Sequence, residues 1–237
     1  MCEVKKTITV TVDDYIDSTA IYSQEFENDK GEACLIQVLP DEFCDSPRDW
    51  DNLWTWVTTP GEGYSDMEYR GTKEQNWRDR RCYRPEDFED DDGKIDRQFQ
   101  KENIVVPLYL YRHSGDVISA GRFAANDPCN CPWDSGCMGF AFVSKERLKK
   151  EYNMKRITKK VLEKAMACLR GEVETMNDIN MGYVYGIKVV NMRTEEEDSC
   201  WGFISSDGKY LKEAAADMLS DWVSADKRQE IVDRLVA

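Results

Sequence analysis

The chain has 237 residues, of which 46 are Asp or Glu and 32 are Lys or Arg, so its formal net charge at pH 7 is −14. Because like charges repel, this sign disfavours direct binding to nucleic-acid phosphates or anionic lipid and favours a partner with a basic surface. There is no apolar run of about 18 residues and no signal peptide, which predicts a cytoplasmic protein that does not enter a membrane.

Residues 1–40 are predicted to form an accessory N-terminal β-hairpin. Residues 4–12 alternate between apolar and polar side chains, which is typical of a strand. A second strand, ACLIQVLP, follows a turn that contains Asn28, Asp29 and Gly31.

Residues 41–102 are predicted to form an acidic, loop-rich segment. This segment holds four of the seven tryptophans, which favours packing rather than disorder. A short helix is expected at 94–102, and the run EDFEDDDG before it is the expected exposed loop. The carboxylates of this run form the predicted acidic surface: Glu86, Asp87, Glu89, Asp90, Asp91 and Asp92.

The regular core is predicted in residues 103–237. IVVPLYLY, MGFAFVS, GYVYGIKVV and SCWGFIS indicate strands, and a long amphipathic helix begins at Thr158. Two helical segments between Tyr210 and Val236 close the chain. Because strands and helices do not alternate regularly, the predicted fold class is α+β, an antiparallel or mixed central sheet with helices packed on one face, in one compact domain.

The densest local chemistry lies in CNCPWDSGCMGF, residues 129–140. His113 is the only histidine, so a histidine-dependent mechanism must use it. With His113 as general base, Asp134 as its orienting acid and Cys131 or Ser135 as nucleophile, the residues of a catalytic triad are present.

A structural interpretation of the same residues stays open. His113 and its neighbours make a turn, and in PWDSG the Asp134 side chain caps its own backbone while Gly136 supplies a positive φ. In that case Trp133 is expected to pack against the core. Otherwise Trp133 and Asp134 are binding residues.

Three cysteines and the histidine also raise the question of a metal. A Cys3His zinc site needs four such ligands in a tetrahedron, and Cys129, Cys131, Cys137 and His113 are the candidates. The spacing C-x-C-x5-C is not one of the usual zinc spacings. An odd total of nine cysteines predicts free thiols in a reducing compartment, and neither a metal nor a cofactor is predicted.

SPRDWDN, residues 46–52, is a candidate binding motif. Arg48, Trp50 and Asp51 combine an aromatic anchor with charged groups, as a partner surface or ligand pocket does. The alternative is an ion pair between Arg48 and Asp51 that closes a loop.

Six segments within roughly residues 45–220 follow one another in an order that points to a family: SPRDWDN, VPLYLYRHSG, CPWDSGCMGF, VSKERLKKEYNMKRITKK, LRGEVETMNDINMGYVYG and EEDSCWGF. On their motifs PRxWDN, LYxHSG, PWDSG and GEVE…YG, the chain resembles uncharacterised proteins encoded by bacteriophages and mobile elements of Gram-positive and gut bacteria. It departs from their pattern at Arg112 and Cys137, where aspartate and glutamine are expected.

The resemblance implies a phage-type accessory protein in the cytoplasm of a bacterial host. Together with the charge, it predicts a non-enzymatic inhibitor that binds a CRISPR or restriction protein, or another host protein, through an acidic surface that mimics nucleic acid. The alternative prediction is a small-molecule or nucleotide-binding protein, or a hydrolase, with a pocket near His113 and Asp134.

Overall fold

The computed structural model describes residues 15–59, 63–66, 85–90, 92–113 and 115–235. The chain divides into two compact units. The discontinuous unit spans Met1–Asp45 and Gly182–Ala237, and the central unit spans Ser46–Met181. Each unit contains a four-stranded antiparallel sheet, so the α+β class is confirmed, with two sheets where the sequence indicated one.

The described residues form eight strands and five α-helices. The strands are β1 (Tyr22–Glu27), β2 (Ala33–Pro40), β3 (Thr55–Thr58), β4 (Asn103–Arg112), β5 (Asp116–Ala120), β6 (Ser135–Ser144), β7 (Val184–Asn191) and β8 (Glu197–Ile204). The helices are α1 (Arg97–Glu102), α2 (Lys145–Glu151), α3 (Lys159–Asn180), α4 (Lys209–Met218) and α5 (Ala225–Arg234).

The discontinuous unit has the strand order β1-β2-β7-β8, with α4 and α5 on one face of the sheet. The continuous apolar run of β2 fits its burial, because side chains on both faces of this strand, from residue 34 to residue 39, are buried. Ile36, Val38, Ile187 and Val189 face the helices and pack against apolar side chains such as Leu211.

The central unit has the strand order β3-β6-β4-β5, and α3 packs on one face. The helix begins where the Thr158 hydroxyl accepts a hydrogen bond from the backbone of Val161 at 3.3 Å. Its buried side chains recur every three or four residues, as an amphipathic helix requires. They are Val161, Ala165, Leu169, Val173 and Met176.

The opposite face of this sheet carries an aromatic cluster. Phe140 and Phe142 alternate along β6 with Ala141, which faces α3, so their rings project to the other side. Phe88 and Phe99 pack against them, with ring centroids 5.0 to 6.4 Å apart. The predicted acidic loop is therefore anchored to the sheet by the one aromatic residue within it, Phe88.

The tertiary division differs from the predicted one, which separated 1–40 and 41–102 from a core at 103–237. Strand β2 pairs with β7 along seven residue pairs, so the N-terminal and C-terminal segments build one sheet together. The predicted strand at 4–12 lies outside the described residues. In the described part of the chain, no helix combines the length and apolarity needed to cross a membrane.

Candidate functional site

The structure brings His113, Cys131 and Asp134 together at one end of the central sheet. The Cys131 thiol donates a hydrogen bond to Asp134 Oδ2 at 3.2 Å, and His113 Nδ1 lies 3.8 Å from the same oxygen. The carbonyl of Asp134 accepts the backbone N–H of Arg112 at 2.8 Å, which fixes the turn to the end of β4. The sequence identified these three residues as candidates without indicating that they meet, and the structure places them together.

Their order is not that of a catalytic triad, in which the imidazole stands between the acid and the nucleophile. Here the Asp134 carboxylate stands between His113 and Cys131 and itself accepts the hydrogen bond of the thiol. The Ser135 hydroxyl donates to the Cys131 carbonyl at 2.6 Å and so closes the local turn. In this arrangement neither predicted nucleophile is hydrogen-bonded to the base.

Trp133 projects away from the protein and is 91% exposed, so the expectation that it packs against the core is wrong. A groove of about 310 Å³ adjoins it, and its lining includes Leu110, Arg112, Asp134 and Met138. The Arg112 guanidinium already donates to both Asp116 oxygens, at 2.8 and 2.7 Å. The indole face beside the Asp134 carboxylate is suited to a planar ligand with polar edges.

Two groups beside this turn, Tyr111 and Cys129, have a raised pKa. Burial raises the pKa of Tyr111, whose ring contacts His113, and the Asp134 carboxylate adds to the effect. Burial likewise raises the pKa of the Cys129 thiol, and Asp127 contributes. Negative surroundings of this kind disfavour a thiolate, which is the form that attacks carbonyls or binds metals.

The four candidate zinc ligands, Cys129, Cys131, Cys137 and His113, do not converge. Among the described residues, no three His, Cys, Asp or Glu side chains are placed to hold a metal ion. The Cys137 thiol is directed to the Gly139 carbonyl at 3.5 Å. The seven cysteines within the described ranges are free thiols.

Arg48, predicted as an exposed binding residue, is buried, with its side chain 4% exposed. It binds both oxygens of Asp66 and donates to Glu172 Oε2 at 2.9 Å and to the Trp54 carbonyl at 2.9 Å. The guanidinium also lies 4.3 Å from the centroid of the Trp56 ring. Arg48 therefore holds the central unit together, and its alternative predicted partner, Asp51, is not among these contacts.

The other two residues of that motif lie at the surface. Trp50 is 50% exposed, and the Asp51 carboxylate is fully exposed at 3.3 Å from the guanidinium of Arg147. Of the three residues predicted as a binding set in SPRDWDN, only Trp50 and Asp51 are therefore accessible to a partner.

The predicted acidic loop begins inside the short 3-10 helix Pro85–Phe88 and continues into a tight turn. Glu86, Glu89 and Asp92 are exposed, whereas Asp90 is half-buried and accepts the backbone N–H groups of Asp92 and Lys94. The side chain of Asp87 and residue Asp91 lie outside the described part of the structure.

The strongest charge asymmetry is between the two units, and no single segment of the sequence reveals it. The discontinuous unit has 22 Asp or Glu and 10 Lys or Arg, a formal charge of −12, whereas the central unit has 24 and 22, a formal charge of −2. Almost all of the net charge therefore belongs to a unit assembled from the two ends of the chain, and not to the unit with the acidic run.

Carboxylates from three segments of the discontinuous unit meet around a hollow of about 380 Å³, which we call the acidic hollow. Its acidic lining residues are Asp29, Glu196, Glu197, Asp198 and Asp221. Three lysines partly offset this charge. Lys30 also lines the hollow, Lys227 lies 4.0 Å from Asp29, and Lys188 Nζ lies 2.8 Å from Glu197 Oε2.

Strand β8 runs from this hollow along the edge of the sheet. Its first six residues, Glu197–Gly202, are all exposed. One face of the Trp201 ring lies over Gly186 on β7, and the side chain is 49% exposed. A Cβ atom at position 186 would stand 2.2 Å from the indole. The absence of a side chain at position 186 thus leaves the space that the Trp201 ring occupies.

Comparisons with known proteins were made on the whole sequence and on the structure. The sequence matches no protein-family model, and neither the search of curated proteins nor that of solved structures found a match.

Proposed function

We propose that this protein is a non-enzymatic inhibitor that binds a basic surface of another protein, and that the discontinuous unit makes the contact. The observation that carries the proposal is the formal charge of −12 on that unit, beside −2 on the central unit. A field of one sign over one unit accelerates encounter with an oppositely charged partner and orients it. Like charge repels free nucleic acid, so the partner is a protein.

The identity of the partner is proposed from the resemblance given above. It supports a bacterial defence protein of the CRISPR or restriction type, met in the cytoplasm of the host. Such proteins hold nucleic acid in basic grooves, and an acidic unit that occupies the groove would act as a mimic of the phosphate backbone.

Removing charge from the acidic hollow should weaken this function. The variant Glu196→Gln/Asp198→Asn/Asp221→Asn removes three carboxylates that the structure places around one hollow. We expect the rate of association with the host target to fall about tenfold or more at low salt, and the wild-type rate to fall as salt rises. The measurement is co-purification from host lysate, followed by association kinetics and by plating of phage on hosts with restriction or CRISPR systems.

The matched control is Glu86→Gln/Glu89→Gln/Asp92→Asn, which removes the same charge from exposed positions of the central unit. This variant should bind and protect as the wild type does. Equal losses of association rate in both variants would show that the total charge matters and not its location. An unchanged association rate in both variants would contradict the proposal.

A second candidate function is supported by the groove beside Trp133. The Trp133 indole is 91% exposed and stands next to the carboxylate that Cys131 and His113 contact, so an aromatic face and a hydrogen-bond acceptor are offered together. This arrangement fits the predicted small-molecule or nucleotide-binding protein better than a hydrolase, since the order of groups does not activate a nucleophile.

The second candidate predicts a nucleotide-dependent change in Trp133 fluorescence. Titration with a panel of nucleotides should alter the emission of the wild type and not that of Trp133→Phe. Asp134→Asn should weaken binding about tenfold, the effect of one charge-assisted hydrogen bond, without changing the unfolding midpoint appreciably. His113→Ala removes the imidazole that contacts the same carboxylate. If Asp134→Asn and His113→Ala both bind nucleotides as the wild type does, the nucleotide-binding function is eliminated.

A further inference from the structure

We infer that β8 is the docking edge of the discontinuous unit, and that the partner adds an extended basic segment to it as a fifth strand. The inference rests on the proposed function, since it specifies how the acidic unit holds its basic partner. Strand addition joins two chains through backbone hydrogen bonds, while side chains on alternate positions set the specificity.

The other unit shows how an edge is normally closed. On β5 the Asn177 amide exchanges two hydrogen bonds with the backbone of Ile118, at 2.7 and 2.9 Å. On β3 the backbone N–H of Trp56 donates to Asp66 Oδ2 at 2.7 Å, and the Trp56 carbonyl accepts the N–H of Asp66 at 3.0 Å. Both edges of the central sheet are thus capped by groups of their own unit.

The outer edge of β8 has no such cap along Glu197–Trp201 within the described residues, and the first cap comes at Gly202, whose N–H donates to Asp41 Oδ2 at 3.0 Å. Strand β1, the other edge of this sheet, differs because alternate side chains along it are half-buried. The five residues of β8 that precede the cap are exposed on every side chain.

The ladder between β7 and β8 shows which backbone groups face outward. The N–H of Asn191 donates to the Glu196 carbonyl at 2.8 Å, so this is a hydrogen-bonded position of the hairpin. In an antiparallel ladder the next pair is not hydrogen-bonded, and the pattern alternates. Glu197 pairs with Val190 and Ser199 with Lys188, so the N–H and C=O groups of Glu197 and Ser199 point away from β7.

Side chains along the edge specify the chemistry of the incoming strand. Asp198 follows the carboxylates of the acidic hollow on the face that carries the helices, because it pairs with Val189, which packs against them. On the opposite face Trp201 offers half of an indole ring. A matching strand has Lys or Arg at the positions facing the hollow and an apolar residue facing Trp201.

The same carboxylates disfavour a second copy of this chain. When two β8 edges pair antiparallel about Asp198, the two Asp198 side chains stand opposite each other, and like charges at an edge are one way in which natural sheets avoid self-association. A basic strand meets no such repulsion. The β8 edge therefore favours a strand of opposite charge over a second copy of the same edge.

Two synthetic peptides of equal charge test the inference on the full chain. One is a heptapeptide that alternates lysine with valine, and the other alternates lysine with proline, which lacks the backbone N–H needed for pairing. We expect the lysine–valine peptide to bind at least about tenfold more tightly, as the loss of a single net hydrogen bond already allows. It should also protect the amides of Glu197 and Ser199 from hydrogen exchange.

Ser199→Pro removes an outward N–H without removing a hydrogen bond to β7, and Ser199→Thr is its control because it keeps that N–H. The proline variant should lose the preference for the lysine–valine peptide, and the threonine variant should keep it. The hydrogen-exchange measurement on the wild type does not depend on either variant folding.

The outcomes separate the two proposals. Equal binding of both peptides, or no protection at Ser199, overturns strand addition and leaves the charge-based function standing. Binding of neither peptide overturns both, because a basic ligand then fails to recognise the acidic unit. Dimerisation of the protein through β8 also overturns the inference, since it assigns the edge to a second copy.

Discussion

Replacing Arg48 with methionine should lower the free energy of unfolding by about 3 to 5 kcal/mol, the cost of breaking a buried ion pair from one side. The guanidinium is the shared partner of Asp66 and Glu172, whose side chains are only 17% and 7% exposed. Without Arg48, two largely buried carboxylates lose their countercharge, and the Trp54 carbonyl loses a donor. Urea unfolding monitored by tryptophan fluorescence measures the difference.

Two companion variants distinguish charge from packing. Arg48→Lys keeps the charge but cannot bind Asp66 through two nitrogens while also reaching Glu172, so we expect it to recover only part of the loss. Adding Asp66→Asn and Glu172→Gln to Arg48→Met removes the unpaired charges and should restore stability in part. A wild-type unfolding curve for Arg48→Met would contradict this account of the central unit.

Replacing Gly139 with alanine should destabilise the protein by about 3 kcal/mol or more, the sum of a backbone strain and a steric clash. Gly139 lies on β6, which pairs with β3 on one side and β4 on the other. Its φ of 143° is a backbone conformation that residues with a side chain rarely adopt. A Cβ atom there would lie 2.0 Å from the Val57 carbonyl oxygen and 2.8 Å from Thr58 Cα. Backbone on the neighbouring strand cannot yield without breaking the β3–β6 pairing.

Gly136 provides a matched control in the same strand. A Cβ atom at this position would have no other atom within 4 Å. The φ of Gly136 is not in the left-handed region, so the positive φ expected for it in the PWDSG turn is wrong. Gly136→Ala should therefore change stability by no more than about 0.5 kcal/mol. Similar thermal unfolding of the two alanine variants would show that the close approach at Gly139 is not a constraint.

Much of the candidate turn site follows from the sequence. A turn after a buried strand exposes His113 at a sheet end, and PWDSG leads directly into β6, which pairs with β4. The sequence therefore identified His113 and Asp134 as candidates, whereas the pairing of β4 with β6 decides that they meet. The order of the three groups was not predictable, because it depends on side-chain directions that no spacing in the sequence encodes.

Arg48 shows where such reasoning fails. Next to Asp49, Trp50 and Asp51, an arginine suggests a local ion pair or an exposed motif. Its actual partners are 18 and 124 residues away in the sequence, and each is brought to it by a different element. A buried ion pair is selected by which backbones pack together, and the sequence near Arg48 carries no information about that.

The sequence by itself determined the α+β class and most of the regular elements, because apolar periodicity and helix caps act over a few neighbouring residues. It also determined the net charge, which is a sum and needs no geometry. Only the tertiary structure decided where that charge resides. The pairing of β2 with β7 joins the two ends of the chain into one acidic unit and leaves β8 at its edge, since long-range strand pairing alone sets which distant residues become neighbours.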